Sequence, residues 1–99
     1  MALVTIGLVT WNSAPDVARG LDGIRAQQHQ PLELLVGDNA STDGTRALLE
    51  ARTSAAERRY FPANLGFSAA HNALIRESRG AYYLTLNPAS STTSGFSVR

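Results

Sequence analysis

The amino-acid sequence predicts a three-layer α/β/α fold around a mainly parallel, four-stranded sheet. Apolar segments rich in β-branched residues alternate with segments whose apolar residues recur at helical spacing, in the order β-α-β-α-β-α-β. This alternation is typical of parallel sheets with helices on both faces. The chain has 99 residues and no cysteine, so we expect one domain or part of one, without disulfides or thiolate metal sites.

The predicted strands are short and apolar. The first covers residues 3–10 and the second covers residues 32–37, and both are almost continuously apolar, as strands buried on two faces are. The third is the brief segment 58–61, and the fourth is segment 81–86. Because parallel strands end at a common edge, the residues that follow them are expected to lie close together.

The predicted helices begin at residues that favour helix starts. The first follows Ser13, a common cap residue, and buries one apolar face. The second runs over about residues 42–52, with Ser41 or Thr42 as its cap. The third follows segment 64–68. Together these helices are expected to cover both faces of the sheet.

The end of the chain departs from this pattern. Residues 91–99 have no periodicity, and the segment after residue 87 is rich in Ser and Thr. Such composition is typical of chain ends without regular structure. The sequence therefore predicts a domain over residues 1–90 and an unstructured or truncated tail over residues 91–99.

Charge and hydropathy exclude several classes of partner. The net charge of +1 gives no electrostatic case for binding nucleic acid or an anionic membrane. The apolar opening segment is shorter than the roughly 20 residues that span a bilayer, and it lacks the basic start of a signal peptide. We therefore expect no nucleic-acid partner, no transmembrane segment and a cytoplasmic location.

Polar residues cluster where the predicted strands end. These groups are residues 10–13, 38–45 and 86–90, and a fourth group, residues 64–72, opens the third helix. In open parallel sheets, ligands bind at the carboxyl ends of the strands. Asp38, which directly follows a buried strand, is thus placed where a ligand is expected.

Four segments carry a family resemblance: VTIGLVTWNS, LELLVGDNASTDGT, NLGFSAAHN and GAYYLTLNPAS, within about residues 3–90. They resemble the amino-terminal half of family 2 glycosyltransferases, and most closely the branch of rhamnosyl- and other bacterial cell-surface sugar transferases. The resemblance implies the GT-A fold, truncated to its Rossmann-like nucleotide-binding half. It also implies transfer of a sugar from a UDP- or dTDP-sugar to an acceptor hydroxyl with inversion. The acceptor in full-length relatives is a carbohydrate or a lipid-linked group.

The resemblance also implies which residues bind the donor nucleotide. Trp11 stands where the family has an aromatic that stacks on the base, and Asp38 matches an acid that accepts a hydrogen bond from the imide of uracil or thymine. Asn64 and Gly66 precede a helix amino terminus, a natural place for a diphosphate. The other donor-site residues are Thr10, Asn12, Asp43, Asn72 and Asn87.

Structural roles compete with these assignments. Trp11 could pack under a loop, and Asp38 could accept hydrogen bonds from nearby backbone N–H groups. Asp43 is explained almost completely by helix capping and turn formation, as are Asn39 and Ser41. His71 shares the apolar face of the third helix, which favours a buried, hydrogen-bonded histidine over a catalytic one.

Two departures from the family pattern bear on activity. Family members use a divalent cation, Mn²⁺ or Mg²⁺, held by an acid where this chain has Ala89, and alanine cannot bind a hard cation. We therefore expect the cation to be lost and no metal-binding residue to be present. The base that deprotonates the acceptor is expected beyond the carboxyl terminus, so no catalytic residue is assigned and the chain alone is expected to be weak or inactive.

Three other interpretations remain open. A non-catalytic nucleotide-binding module is favoured by Ala89, and a gene fragment without function is favoured by the unpatterned tail. A flavodoxin-like or receiver-type domain fits the topology alone. These last families do not explain DNASTDGT followed by NLGF.

Overall fold

The computed structural model describes residues 3–26, 31–87 and 92–98, with side chains for 3–26 and 31–86. The described elements are β1 (Val4–Thr10), α1 (Ala14–Arg25), β2 (Leu32–Asp38), α2 (Thr45–Arg52), β3 (Arg58–Tyr60), α3 (Phe67–Glu77), β4 (Tyr82–Asn87) and β5 (Thr92–Val98). They follow the predicted order from β1 to β4, and β5 is an addition.

The strands form one sheet in the order β3-β2-β1-β4-β5. The pairs β3·β2, β2·β1 and β1·β4 are all parallel, which confirms the predicted, mainly parallel sheet of four strands. Thr10 at the end of β1 pairs with Asp38 at the end of β2, and Asp38 pairs in turn with Tyr60 at the end of β3. The carboxyl ends of these strands therefore lie side by side.

Helices cover both faces, as the alternation predicts. On one face, α1 and α2 bury an aliphatic core with β1, β2 and β4, formed by Leu8, Val17, Leu21, Ile24, Leu34, Val36, Leu49 and Leu86. On the other face, α3 packs on the sheet through Val9, Leu35, Ala70, Leu74 and Tyr83. Because the sheet is covered on both sides, its central strands β1 and β2 are mostly apolar.

Two glycines allow large rings to lie against the sheet. A Cβ at Gly7 would overlap the hydroxyl of Tyr83, which is fully buried. A Cβ at Gly37 would lie 2.7 Å from the ring of Phe61. These close approaches explain why glycine interrupts two otherwise β-branched and leucine-rich strands.

The last segment differs from its prediction. Residues 92–98, predicted as unstructured or truncated, form β5, which pairs antiparallel with β4. β5 supplies hydrogen-bond partners for the backbone N–H and C=O groups along one edge of β4. Its segment TTSGFSV contains residues that favour strands. The sheet thus extends past the predicted boundary at residue 90.

The helices of the described residues are short. No helix within these residues is long and apolar enough to cross a bilayer.

Candidate functional site

The candidate site lies at the carboxyl edge of the sheet, where three segments meet. They are the loop after β1 (residues 11–13), the loop after β2 (residues 39–44) and the segment before α3 (residues 64–66). Hydrogen bonds join all three segments. Their arrangement fixes what each predicted site residue presents to solvent.

Asp38 is the buried centre of these contacts. Its side chain is 0% exposed, and its Oδ1 accepts hydrogen bonds from the Thr10 hydroxyl and the Ser41 hydroxyl, both at 2.6 Å. Its Oδ2 accepts a third from the Ser41 backbone N–H at 3.0 Å. A buried carboxylate is stable only with such donors, and three satisfy it here.

The direct base contact that the resemblance implies for Asp38 stays a prediction. The carboxylate has no exposed surface in this arrangement. The competing structural role, in which Asp38 accepts hydrogen bonds from its own loop, matches the Ser41 contacts. The sequence located Asp38 at the carboxyl edge of the sheet, where ligands bind, but it could not show from which groups the carboxylate oxygens accept hydrogen bonds.

Asn12 ties the loop after β1 to the loop after β2. Its backbone N–H donates to the Ser41 hydroxyl at 2.9 Å. Its side-chain Oδ1 accepts from the backbone N–H groups of Thr42 at 2.8 Å and Asp43 at 3.3 Å. Its φ is 44°, in the left-handed region that asparagine tolerates better than most residues. Asn12 therefore acts on the other loop through its side chain.

Asn39 joins the loop after β2 to the segment before α3. The sequence indicated only a role in turn formation for this residue. Its backbone N–H donates to the carbonyl of Thr10 at 2.8 Å. Its side-chain amide donates to the Gly66 carbonyl and accepts from the Leu65 N–H, both at 3.2 Å. Because these partners are distant in sequence, only the three-dimensional arrangement identifies this contact.

Asp43 lies at the start of α2, where it acts on the helix. Its Oδ1 accepts a hydrogen bond from the Thr45 backbone N–H at 2.9 Å. Hydrogen bonding to the Thr45 side chain, and then to its backbone, lowers the pKa of the Asp43 carboxyl. The predicted cap residues Ser41 and Thr42 are wrong, because α2 begins at Thr45 and its cap position is Gly44. The Ser41 hydroxyl is engaged with Asp38 instead.

Asn64 and Gly66 shape the approach to α3. Gly66 occupies the cap position of α3 with φ 82°, a conformation that favours glycine. Its backbone N–H donates to the Asn64 Oδ1 at 2.8 Å. Asn64 and Gly66 are both exposed, and α3 has no side-chain cap hydrogen bond. Because α3 follows β3 and Trp11 follows β1, the backbone N–H groups in the first turn of α3 lie at the same edge of the sheet as Trp11.

Large apolar side chains are exposed on these segments. Trp11 is 54% exposed, Phe67 is 50% exposed and Leu65 is 42% exposed. Trp11 is thus not packed under a loop. It follows Thr10, whose hydroxyl donates to Asp38 at the end of β2, and precedes Asn12, which is hydrogen-bonded to the loop after β2. The residues on either side of Trp11 are thus held by hydrogen bonds, and much of the indole surface is available.

The remaining predicted site residues lie less centrally. Asn72 is exposed in the middle of α3, and Asn87 ends β4 at the same edge of the sheet. Ala89, the position of the expected metal-binding acid, lies outside the described residues. Within the part of the chain that is described, no group of three or more His, Asp or Glu residues could hold a metal ion.

A buried polar pair lies under α3. The His71 Nδ1 and the Tyr83 hydroxyl are 2.7 Å apart, and His71 Nε2 has no hydrogen-bond partner among the described residues. Burial lowers the pKa of His71 from 6.5 to about 4 and raises the pKa of Tyr83. His71 is therefore neutral at pH 7. The Phe67 ring lies edge-on to it, with centroids 4.4 Å apart, which connects this pair to the start of α3.

Comparison with known proteins places the chain in a family. The model of glycosyl transferase family 2 matches residues 5–88, which is most of the chain. The chain therefore belongs to glycosyl transferase family 2. This confirms the family and the enzyme class that the resemblance implied. No curated protein matches the chain in a sequence comparison.

Solved structures share the fold. PcManGT, a mannosyltransferase from Pyrobaculum calidifontis in complex with GDP-Man and Mn²⁺, is 26% identical over 86% of this chain, with a TM-score of 0.77. S. aureus TarS is 22% identical over 89% of this chain, with a TM-score of 0.70. TarS 1-349 in complex with UDP aligns with a TM-score of 0.64 at 21% identity. The TarS similarities show the fold alone.

This chain is short compared with those proteins. It spans 27% of the PcManGT chain and 16% of the TarS chain. The similarity thus concerns the strand-and-helix region described above and no more of either protein.

Proposed function

We propose that this chain forms the donor-nucleotide-binding part of a glycosyltransferase that uses a UDP- or dTDP-sugar. The sugar passes to an acceptor hydroxyl, on a carbohydrate or a lipid-linked group, with inversion. The observation that carries this proposal is the exposed Trp11 indole, held at the carboxyl edge of a parallel sheet in a chain of this family. A flat, exposed ring at that edge suits a base, since every base presents a π-face.

Each part of the site has a role in this proposal. Trp11 stacks on the uracil or thymine ring. Asn64, Gly66 and the first turn of α3 receive the diphosphate, because backbone N–H groups at a helix amino terminus attract negative charge. Thr10 and Asn12 shape the base-binding loop. The more distant members, Asn72 and Asn87, border the site from α3 and β4.

A divalent cation does not fit the residues at hand. PcManGT was solved with GDP-Man and Mn²⁺, and TarS with UDP. In this chain Ala89 offers no oxygen ligand through its side chain, and the described residues supply no ligand cluster. We therefore propose nucleotide binding that does not depend on Mn²⁺ or Mg²⁺, and no step is assigned to a cation.

The chemistry beyond binding depends on groups that we do not assign here. An inverting displacement needs a base on the face of the sugar opposite the leaving nucleotide. The donor-site residues lie on the nucleotide side, so none of them is proposed as that base. We propose that the chain by itself has weak or no transferase activity, at a cytoplasmic location, and that its relatives build cell-surface polysaccharide.

A second candidate is a nucleotide-binding module without catalysis, which Ala89 favours. The two candidates differ in turnover. Release of UDP from a UDP-sugar, well above spontaneous hydrolysis and dependent on the protein, supports the enzyme. Tight UDP binding without any turnover supports the module.

The test of the proposed site is equilibrium dialysis of labelled UDP against the wild type, Trp11→Ala and Trp11→Phe. Removing the ring is expected to weaken UDP binding by about tenfold or more, since stacking on a base contributes roughly 1–3 kcal/mol. Trp11→Phe keeps a ring and is expected to retain most of the affinity. Trp11 is exposed, so neither change should unfold the protein, which circular dichroism checks. Equal affinities for all three proteins would refute the stacking role.

A further inference from the structure

We infer that Asp38 is a positioning residue. Its buried carboxylate holds the loop after β1, which carries Trp11, in the conformation that binds the base, and it does not itself bind the base. This inference rests on the proposed nucleotide site and names the part of the chain that holds it in shape. We call the contacts among Thr10, Asn12, Asp38 and Ser41 the Asp38 clamp.

The carboxylate is fully used inside the protein. Oδ1 accepts two hydroxyl hydrogen bonds at 2.6 Å, from Thr10 and Ser41, and Oδ2 accepts the Ser41 N–H at 3.0 Å. Thr10 and Asp38 are register partners on neighbouring strands, which brings this hydroxyl and this carboxylate together. An imide N–H of a base would have to displace these donors from a site with no exposed surface.

The clamp holds Trp11 from both sides. The preceding residue, Thr10, donates its hydroxyl to Asp38, and the following residue, Asn12, donates its N–H to the Ser41 hydroxyl that also donates to Asp38. The backbone on either side of the indole therefore depends on one carboxylate. The ring itself stays exposed, so the clamp holds the backbone that carries the ring without covering the ring.

The same arrangement extends to α3. Asn39, next to Asp38 in the chain, bonds the Thr10 carbonyl with its backbone and the Leu65–Gly66 backbone with its side chain. Asn39 thus links the end of β1, which leads into Trp11, to the backbone at the start of α3. A preset separation between base and diphosphate contacts favours binding, because less order must be imposed when the ligand arrives.

The chain offers its own probe of this clamp. Trp11 is its sole tryptophan, so tryptophan fluorescence reports this loop alone. Thr10→Val removes the hydroxyl donor and nearly keeps the shape, whereas Thr10→Ser keeps the hydroxyl. Thr5→Val is the matched control, because Thr5 is also fully buried on β1 and its hydroxyl bonds Glu33 and Gly80 away from the site.

In the free protein, Thr10→Val is expected to raise the acrylamide quenching of Trp11 about twofold, through local opening of the loop. Thr10→Ser is expected to restore the wild-type value, and Thr5→Val to leave it unchanged even where it lowers the melting temperature. Ser41→Ala, which removes the other hydroxyl, is expected to behave as Thr10→Val does. Unchanged quenching in both Thr10→Val and Ser41→Ala would overturn the clamp.

Ligand binding separates positioning from base reading. UDP and N3-methyl-UDP, which lacks the imide N–H, are titrated into the wild type and Asp38→Asn. A positioning role predicts that Asp38→Asn weakens both nucleotides by the same factor, about fivefold. If Asp38 bound the base directly, methylation of N3 and the change Asp38→Asn would remove the same hydrogen bond. The loss of affinity caused by methylation would then be smaller in Asp38→Asn than in the wild type, by about tenfold or more. That second result would overturn the inference.

The experiments distinguish failure of the proposed nucleotide site from failure of the Asp38 clamp. If the wild type binds neither nucleotide, the nucleotide site is refuted, and the quenching of Trp11 in the ligand-free variants still decides whether Asp38 holds the loop. Should Asp38→Asn fail to fold, Ser41→Ala takes its place in the comparison of UDP with N3-methyl-UDP. Equal weakening of both nucleotides in Ser41→Ala supports positioning by the clamp, and unchanged affinity for both overturns it.

Discussion

Acid is expected to destabilise this fold through His71. The side chain is 4% exposed between α3 and β4, and its Nδ1 lies 2.7 Å from the Tyr83 hydroxyl. Burial lowers the pKa of His71 from 6.5 to about 4, because a charged imidazolium would lose its hydration there. Between pH 6.5 and about 4, His71 binds a proton in the unfolded chain and stays neutral in the folded chain.

The linkage between proton binding and folding gives the sign and the size of the effect of pH on stability. The folded pKa of this base is depressed, so its contribution is fully retained above pH 6.5 and is lost as pH falls toward about 4. A pKa lowered from 6.5 to about 4 corresponds to roughly 3 kcal/mol of unfolding free energy. That is a large fraction of the roughly 5–15 kcal/mol by which domains are stable.

Urea unfolding of the wild type and His71→Gln at pH 7 and pH 4.5 measures this effect. Glutamine does not titrate, and its amide can still bond the Tyr83 hydroxyl. Carboxylates such as Asp43, whose pKa is lowered by hydrogen bonds to Thr45, lose stabilisation on acidification in both proteins. The difference between the two proteins therefore isolates His71. Equal acid losses, or an NMR titration of His71 near pH 6.5, would refute the reasoning.

Two further predictions concern stability. Gly7→Ala is expected to lower the unfolding free energy by about 3 kcal/mol in a urea titration, because its Cβ would overlap the Tyr83 hydroxyl. The control Gly23→Ala, on α1 with nothing within 4 Å of its Cβ, is expected to raise it by about 0.5 kcal/mol, and equal effects of the two changes would contradict the packing at Gly7. Asp43→Ala is expected to lower the melting temperature and Asp43→Asn to restore most of it, because an amide oxygen still accepts from the Thr45 N–H. Equal melting temperatures for both variants would speak against capping by Asp43.

The strands and helices were largely predictable because their apolar residues recur at clear periods. Continuous apolar runs identified β1 and β2, and the spacing of apolar residues identified α1. β5 was missed because its Ser- and Thr-rich segment has no periodicity of its own. It gains its partners from the edge of β4, which no local pattern in the segment reveals.

The location of the site was also predictable, whereas the roles of its side chains were not. The sequence placed Asp38 at the ligand edge, but its partner Thr10 lies 28 residues away, and only the pairing of β1 with β2 brings them together. The same holds for Asn39 and its contacts before α3. Trp11 remained ambiguous in the sequence because exposure depends on how neighbouring loops fold.

The most direct test of a nucleotide site at this edge is a calorimetric titration of UDP into the purified chain, with and without Mn²⁺. Binding in the micromolar range, about −8 kcal/mol, is expected, with the same affinity in both conditions because Ala89 offers no metal ligand. No heat at millimolar UDP in either condition would contradict a donor-nucleotide site in this chain.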